Sequence, residues 1–104
     1  MSNSVSRQSN PDRFEVTSDD KVAGFAQFVD HDGRRVFFHT EIGEEFGGQG
    51  LAGIVVEEAV TATREEGLTL VAVCPYVKKW LTKHPEHADI TSPVTPADLA
   101  AINA

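Results

Sequence analysis

Between Val36 and Ala52 an apolar, β-branched and aromatic run gives way to a polar turn, then to Gly43, Gly47, Gly48 and Gly50, then to the first turn of an amphipathic helix. A strand fed into a helix through a glycine cluster brings bare backbone to the helix start. The first N–H groups of a helix lack intrahelical acceptors and lie at the positive end of its dipole. At Gly48, Gln49, Gly50, Leu51, Ala52 and Gly53 these groups predict an anion site suited to a pyrophosphate. A glycine-rich connection that merely turns the chain is the plainer reading, but one glycine would serve that purpose.

Two phosphate-binding patterns do not fit. No Lys-Ser or Lys-Thr pair follows the glycines, so the P-loop is absent. Gly48-Gln49-Gly50-Leu51-Ala52-Gly53 spells GxGxxG, but polar residues separate it from the preceding strand. The next apolar run, Leu70 to Val73, ends in Cys74-Pro75 and not in the acidic residue that a dinucleotide's ribose needs.

The flanking pattern predicts a mixed α/β domain. Residues 1–12 are rich in Ser, Asn and Gln and read as a flexible N-terminal tail. Arg13 to Thr17 alternates as a half-buried strand, and Val22 to Val29 reads as a second, with Gly24 marking a bulge or a close backbone contact. Asp32-Gly33 is a hairpin signal, so a third strand from Arg35 to about Ile42 runs antiparallel to the second. A helix from about Gly50 to Glu66 presents Leu51, Ile54, Val55, Ala59 and Ala62 to the core and stops at Gly67. The continuous apolar run from Leu68 to Val73 is then a covered strand, parallel to the third. A second helix starts at about Tyr76 or Val77 and ends before Pro85, and Thr95-Pro96-Ala97-Asp98 opens a short final helix. The boundaries read as a tail over 1–12, one domain over 13–87 and a C-terminal extension over 88–104.

Charge and cysteine usage narrow the function. A formal net charge of −7 argues against nucleic-acid binding and favours amine-bearing or basic partners. One cysteine cannot form an internal disulfide, and no apolar run approaches the roughly 20 residues that span a bilayer. The reading is a cytoplasmic protein with no membrane partner, a monomer or weak dimer.

The segment Glu45-Phe46-Gly47-Gly48-Gln49-Gly50 resembles the acetyl-CoA loop of the GCN5-related N-acetyltransferases, Gln/Arg-x-x-Gly-x-Gly/Ala at a helix start. Gly48 and Gly50 match its two small positions, while Glu45 departs from the Gln or Arg of its first. His39-Thr40-Glu41-Ile42 before the loop, and Val73-Cys74-Pro75-Tyr76-Val77, Trp80 and His84-Pro85-Glu86 after it, extend the likeness to the small stand-alone branch, over about Arg13 to Glu86. The resemblance implies acetyl-CoA or coenzyme A as cofactor, splayed parallel strands that admit the thioester arm, transfer to the amine of a small molecule or basic peptide, and Cys74 beside the thioester.

Each candidate site residue also has a plainer role. His39, placed by alternation on the sheet face of Phe37 and Glu41, is a general base or a satisfied core histidine. Glu41 is a second base or a solvated carboxylate. Cys74 is a small core residue or an activated thiol. Tyr76 is an anchor for the second helix or a cofactor contact. Lys78, Lys79 and Lys83 are a solvated helix face or, as a reversal of sign in an acidic chain, partners for the coenzyme's 3′-phosphate. His84 and His87 suggest no metal, because Pro85 interrupts them and no third ligand is implied. Two routes stay open: His39 deprotonates Cys74, which carries the acetyl group, or the amine attacks directly with His39 or Glu41 as base and Cys74 protonating the leaving thiolate. The nucleophilicity of a thiol favours the first. The alternative to an enzyme is a non-catalytic module that binds coenzyme A or acyl-CoA.

Overall fold

The structure is a computed structural model that describes residues 3–9, 12–48 and 50–103. Its sheet has five strands in sequence order: β1 (Asn3–Gln8), β2 (Arg13–Ser18), β3 (Lys21–His31), β4 (Arg34–Ile42) and β5 (Thr69–Ala72). The first four are antiparallel and β4 and β5 are parallel, joined through α1 (Leu51–Glu65). The expected mixed sheet, antiparallel strands leading into a parallel strand–helix–strand unit, is the observed one.

One face of the sheet carries the core. Phe14, Val16, Ala26, Phe28 and Phe37 meet Leu51, Val55, Val56, Ala59 and Val60 of α1 and Val77 and Trp80 of α2 (Pro75–Thr82). The buried stripe of α1 is centred on Val55, Val56, Ala59, Val60 and Thr63, so it is rotated from the expected one; Ile54 and Ala62 lie at its margin. Thr63 is admitted because its hydroxyl donates to the Ala59 carbonyl within the helix. Pro75 occupies the first turn of α2, so the helix starts at the proline and not after it.

Residues 3–8, read from sequence as a tail, form the edge strand β1. Composition concealed two anchors: Val5 packs against the core, and Arg7 pairs with Glu66 at 2.8 Å and with Asp30 at 3.6 Å. Met1, Ser2, Asn10 and Pro11 of that expected tail lie outside the described residues. Arg35 is fully buried between Asp30 and Glu66 and lies over the Phe28 ring, which ties β4 to the end of α1. Burial lowers its proton affinity, but hydrogen bonds to Asp30 and Glu66 more than offset this and its pKa is raised. Glu66 is pulled down to about 2, chiefly by the Arg35 hydrogen bonds.

The C-terminal segment returns to the sheet. Ser92 N–H donates to the Leu70 carbonyl beside β5, and α3 (Pro96–Ile102) packs near β3 and β4. Asp98 is fully buried and accepts two hydrogen bonds from the Arg34 guanidinium and one from His31 Nε2. Together with Thr95 it also forms the capping box of α3. Arg34, helped by the Thr95 amide and His31, holds the Asp98 carboxyl far below the usual range.

Candidate functional site

The parallel pairing of β4 with β5 ends at Phe37 opposite Ala72, while β4 continues to Ile42. Both Val73 and Cys74 turn their N–H groups onto the Phe37 carbonyl at 2.9 Å, and Pro75 then takes the chain into α2. The two strands therefore part after Phe37, and the β5-side edge of residues 38–42 has no strand partner among the described residues. Gly24 holds the other edge close: a Cβ there would stand 2.2 Å from the Glu41 carbonyl oxygen. This is the close contact expected at Gly24, and the bulge falls one residue earlier, at Ala23.

A second bulge decides which side chains face the gap. Gln27 pairs with His39 but Phe28 pairs with Phe37, so Phe38 is an extra residue in β4. Alternation restarts beyond it. Phe37 is buried in the core, whereas His39 lies on the opposite face, half exposed, 3.5 Å from Glu41 Oε1 and tilted against the Phe25 ring. The placement of His39 and Glu41 on the face of Phe37 is thus corrected: an alternation count cannot foresee a bulge. Thr40 faces the core side instead, and the buried Cys74 donates its S–H to Thr40 Oγ1 at 3.4 Å. His39 and Cys74 consequently reach the gap from opposite sides, and the polar contact of Cys74 is Thr40, not His39.

The glycine loop leads to the same gap. Gly48 and Gly50 have left-handed φ values of 81° and 72°, which favour glycine, and space is open where their side chains would project. Gly50 is the N-cap of α1, with no side chain capping the helix start. Ile54 N–H donates to the Gly50 carbonyl, and the N–H groups of Leu51, Ala52 and Gly53 ahead of it have no backbone acceptor among the described residues. Gln49 lies outside the described residues. Glu45 sits in a short 3₁₀ turn over Glu44–Phe46, exposed.

The first turn of α2 meets the first turn of α1. A Cβ on Gly53 would lie 3.8 Å from the Tyr76 hydroxyl, so that phenol stands beside these amides. Helical spacing sets Lys79 and Lys83 toward the flank of Tyr76 and Lys78 toward the other. The three lysines do not form one cluster: Lys78 lines a groove with Leu81 and Thr82. His84 stacks on Trp80 with ring centres 3.8 Å apart and donates from Nδ1 to the Trp80 carbonyl; His87 stacks at 5.8 Å.

Thr40 and Phe25 are the site residues that sequence reasoning missed. Position 40 becomes visible only once the bulge is known, and Phe25 only once the register places it across from Glu41.

Residues 13–90 match the family described as GCN5-related N-acetyl-transferase. The chain is also similar to the NMR solution structure of a GCN5-like candidate N-acetyltransferase from Staphylococcus aureus, with a TM-score of 0.67 and 23% identity over 92% of this chain and 95% of that one. At that identity the likeness is one of fold. No curated protein matches the chain in sequence. None of the helices among the described residues is long and apolar enough to cross a membrane.

Proposed function

Because the chain belongs to the GCN5-related N-acetyltransferase family and is an acetyltransferase of that type, we propose that it moves the acetyl group of acetyl-CoA to the amine of a small molecule or basic peptide. One observation carries this reading: a helix start with no side-chain cap opens beside a gap between parallel strands, and Cys74 stands at that gap. The N–H groups at Leu51, Ala52 and Gly53, without acceptors among the described residues, and the open approach at Gly48 and Gly50 suit the pyrophosphate of coenzyme A. Lys79 and Lys83 suit its 3′-phosphate. The unpaired β4 edge past Phe37 supplies N–H donors for the thioester carbonyl as it becomes an oxyanion.

The placement of His39 favours direct transfer. His39 and Glu41 are half or more exposed on the sheet face away from α1, where an amine can reach the gap from solvent. There His39 takes the proton of the attacking amine, with Glu41 steadying the resulting imidazolium. The amine nitrogen bonds to the acetyl carbon, the C–S bond breaks, and Cys74 on the other side gives its proton to the departing thiolate. An acceptor drawn to an acidic protein carries positive charge, so amines and basic peptides are the substrate class.

The test is coenzyme A release from acetyl-CoA against pooled amines and basic peptides, followed by mass analysis of the pool. An acetylated amine formed at a rate that His39→Ala depresses supports the reading. Tight coenzyme A binding with no acetylated product from any pool favours the non-catalytic binding module.

A further inference from the structure

On the flank of α2 that faces away from Tyr76 lies an open groove of about 590 Å³. Its walls are Ala72 at the end of β5, Leu81 on α2, and Ala88, Pro93 and Val94 from the segment that returns to the sheet. Three hydroxyl side chains also border it: Thr82 donates to the Lys79 carbonyl, Thr91 donates to the His87 carbonyl, and Ser92 Oγ accepts from the Arg34 guanidinium. Lys78 is the one charged residue in the lining, and its ammonium has no ion pair among the described residues. A free cation at the rim of an apolar groove selects for a ligand with an apolar body and one negative end.

The sheet edge adds a second donor. The Leu70 carbonyl faces outward from β5, where it accepts the Ser92 N–H, while Val73 N–H turns inward to Phe37. Strand alternation therefore points the Ala72 N–H outward as well, toward the groove, and no backbone acceptor meets it among the described residues. A carboxylate takes both donors together, an ammonium and a backbone amide.

We propose that this groove is a binding site for an apolar monocarboxylate, separate from the acetyl-transfer gap, with Lys78 and the Ala72 N–H holding the carboxylate and Leu81, Ala88 and Val94 covering the hydrocarbon. A volume of this size accommodates a small-molecule ligand such as an eight-carbon acid or an aryl-alkanoate.

The experiment is a titration of ¹⁵N-labelled protein with octanoate, followed by amide chemical shifts, with 1-octanol as the uncharged control. Saturable shifts are expected at Ala72, Lys78, Leu81 and Val94, unchanged when coenzyme A is present. Lys78→Gln should weaken octanoate about tenfold and leave 1-octanol unaffected. Ala88→Trp, at an exposed position that tolerates bulk, should block both ligands while the spectrum keeps its dispersion. The proposal is overturned by the absence of saturable shifts up to roughly 10 mM, by shifts confined to the start of α1, or by equal octanoate affinity in wild type and Lys78→Gln.

Discussion

Cys74 Sγ lies 3.4 Å from Thr40 Oγ1, across the gap where β4 and β5 part, and this contact joins the two strands' side chains beyond their last shared backbone pairing. The thiol is thus oriented by a neutral hydroxyl and not by a base. If it acts as proton donor to the departing thiolate, Cys74→Ser keeps a donor and should retain measurable turnover, while Cys74→Ala loses it. Intact mass after incubation with acetyl-CoA alone should show no acetylated protein. A stoichiometric acetyl adduct that disappears in Cys74→Ala would establish the covalent route instead.

His39 and Glu41 share the exposed face at 3.5 Å, so they act as a pair or not at all. His39→Ala should lower kcat by about 10²-fold or more with little change in coenzyme A affinity, because the imidazole serves the amine and not the pyrophosphate. Glu41→Gln should cost less, since it removes only the charge that steadies the imidazolium. Thr40→Val reports on the other face: it leaves the His39–Glu41 pair intact and frees the Cys74 thiol. Steady-state kinetics paired with coenzyme A titration separate these effects.

Gly50 has a left-handed backbone with open space around it, so replacement strains the chain without creating a clash. Gly50→Val should cost about 1–2 kcal/mol of stability through the backbone alone. Its larger effect should be on coenzyme A, whose pyrophosphate meets a branched side chain where bare amides stood. Calorimetric titration of the folded variant should show affinity at least tenfold weaker. Affinity for dephospho-coenzyme A should already be lower in the wild type, by a margin that salt narrows, if Lys79 and Lys83 hold the 3′-phosphate.

The order of strands, the Asp32-Gly33 hairpin, the helix after the glycines and the capped start at Thr95 were legible because each rests on a local signal: period, turn residue or cap. What escaped had no local signal. The bulge at Phe38 turns His39 outward and Thr40 inward, and a bulge is a property of the pairing with β3, not of the residues in β4. The strand at residues 3–8 is held by Arg7 reaching Glu66, a contact 59 positions distant in sequence. Lys78, Lys79 and Lys83 look like one basic patch in the sequence, but helical spacing divides them between two flanks of α2.

Acid should loosen the molecule through two carboxylates whose proton affinity the fold depresses. Arg35 brings Glu66 down to about 2, and Arg34 brings Asp98 lower still. A carboxyl with a depressed folded-state pKa adds stability above its unfolded value and loses it as pH falls toward the folded value. The contribution of Glu66 should therefore be complete at neutral pH and fade from about pH 4.5 down through about 2, and Asp98 should weaken over the same window and below it. Asp98→Ala leaves the charge of Arg34 behind in a partly buried setting and removes the carboxylate half of the α3 capping box, so it should cost about 3 kcal/mol at pH 7. Glu66→Gln should cost less, because that side chain is partly exposed and solvent screens its pairing. Urea midpoints for wild type and both variants at pH 7, 4 and 2.5 test this. The gaps between wild type and variants should shrink as pH falls; gaps of constant size would mean that packing, and not the charge of these carboxylates, supplies the stability.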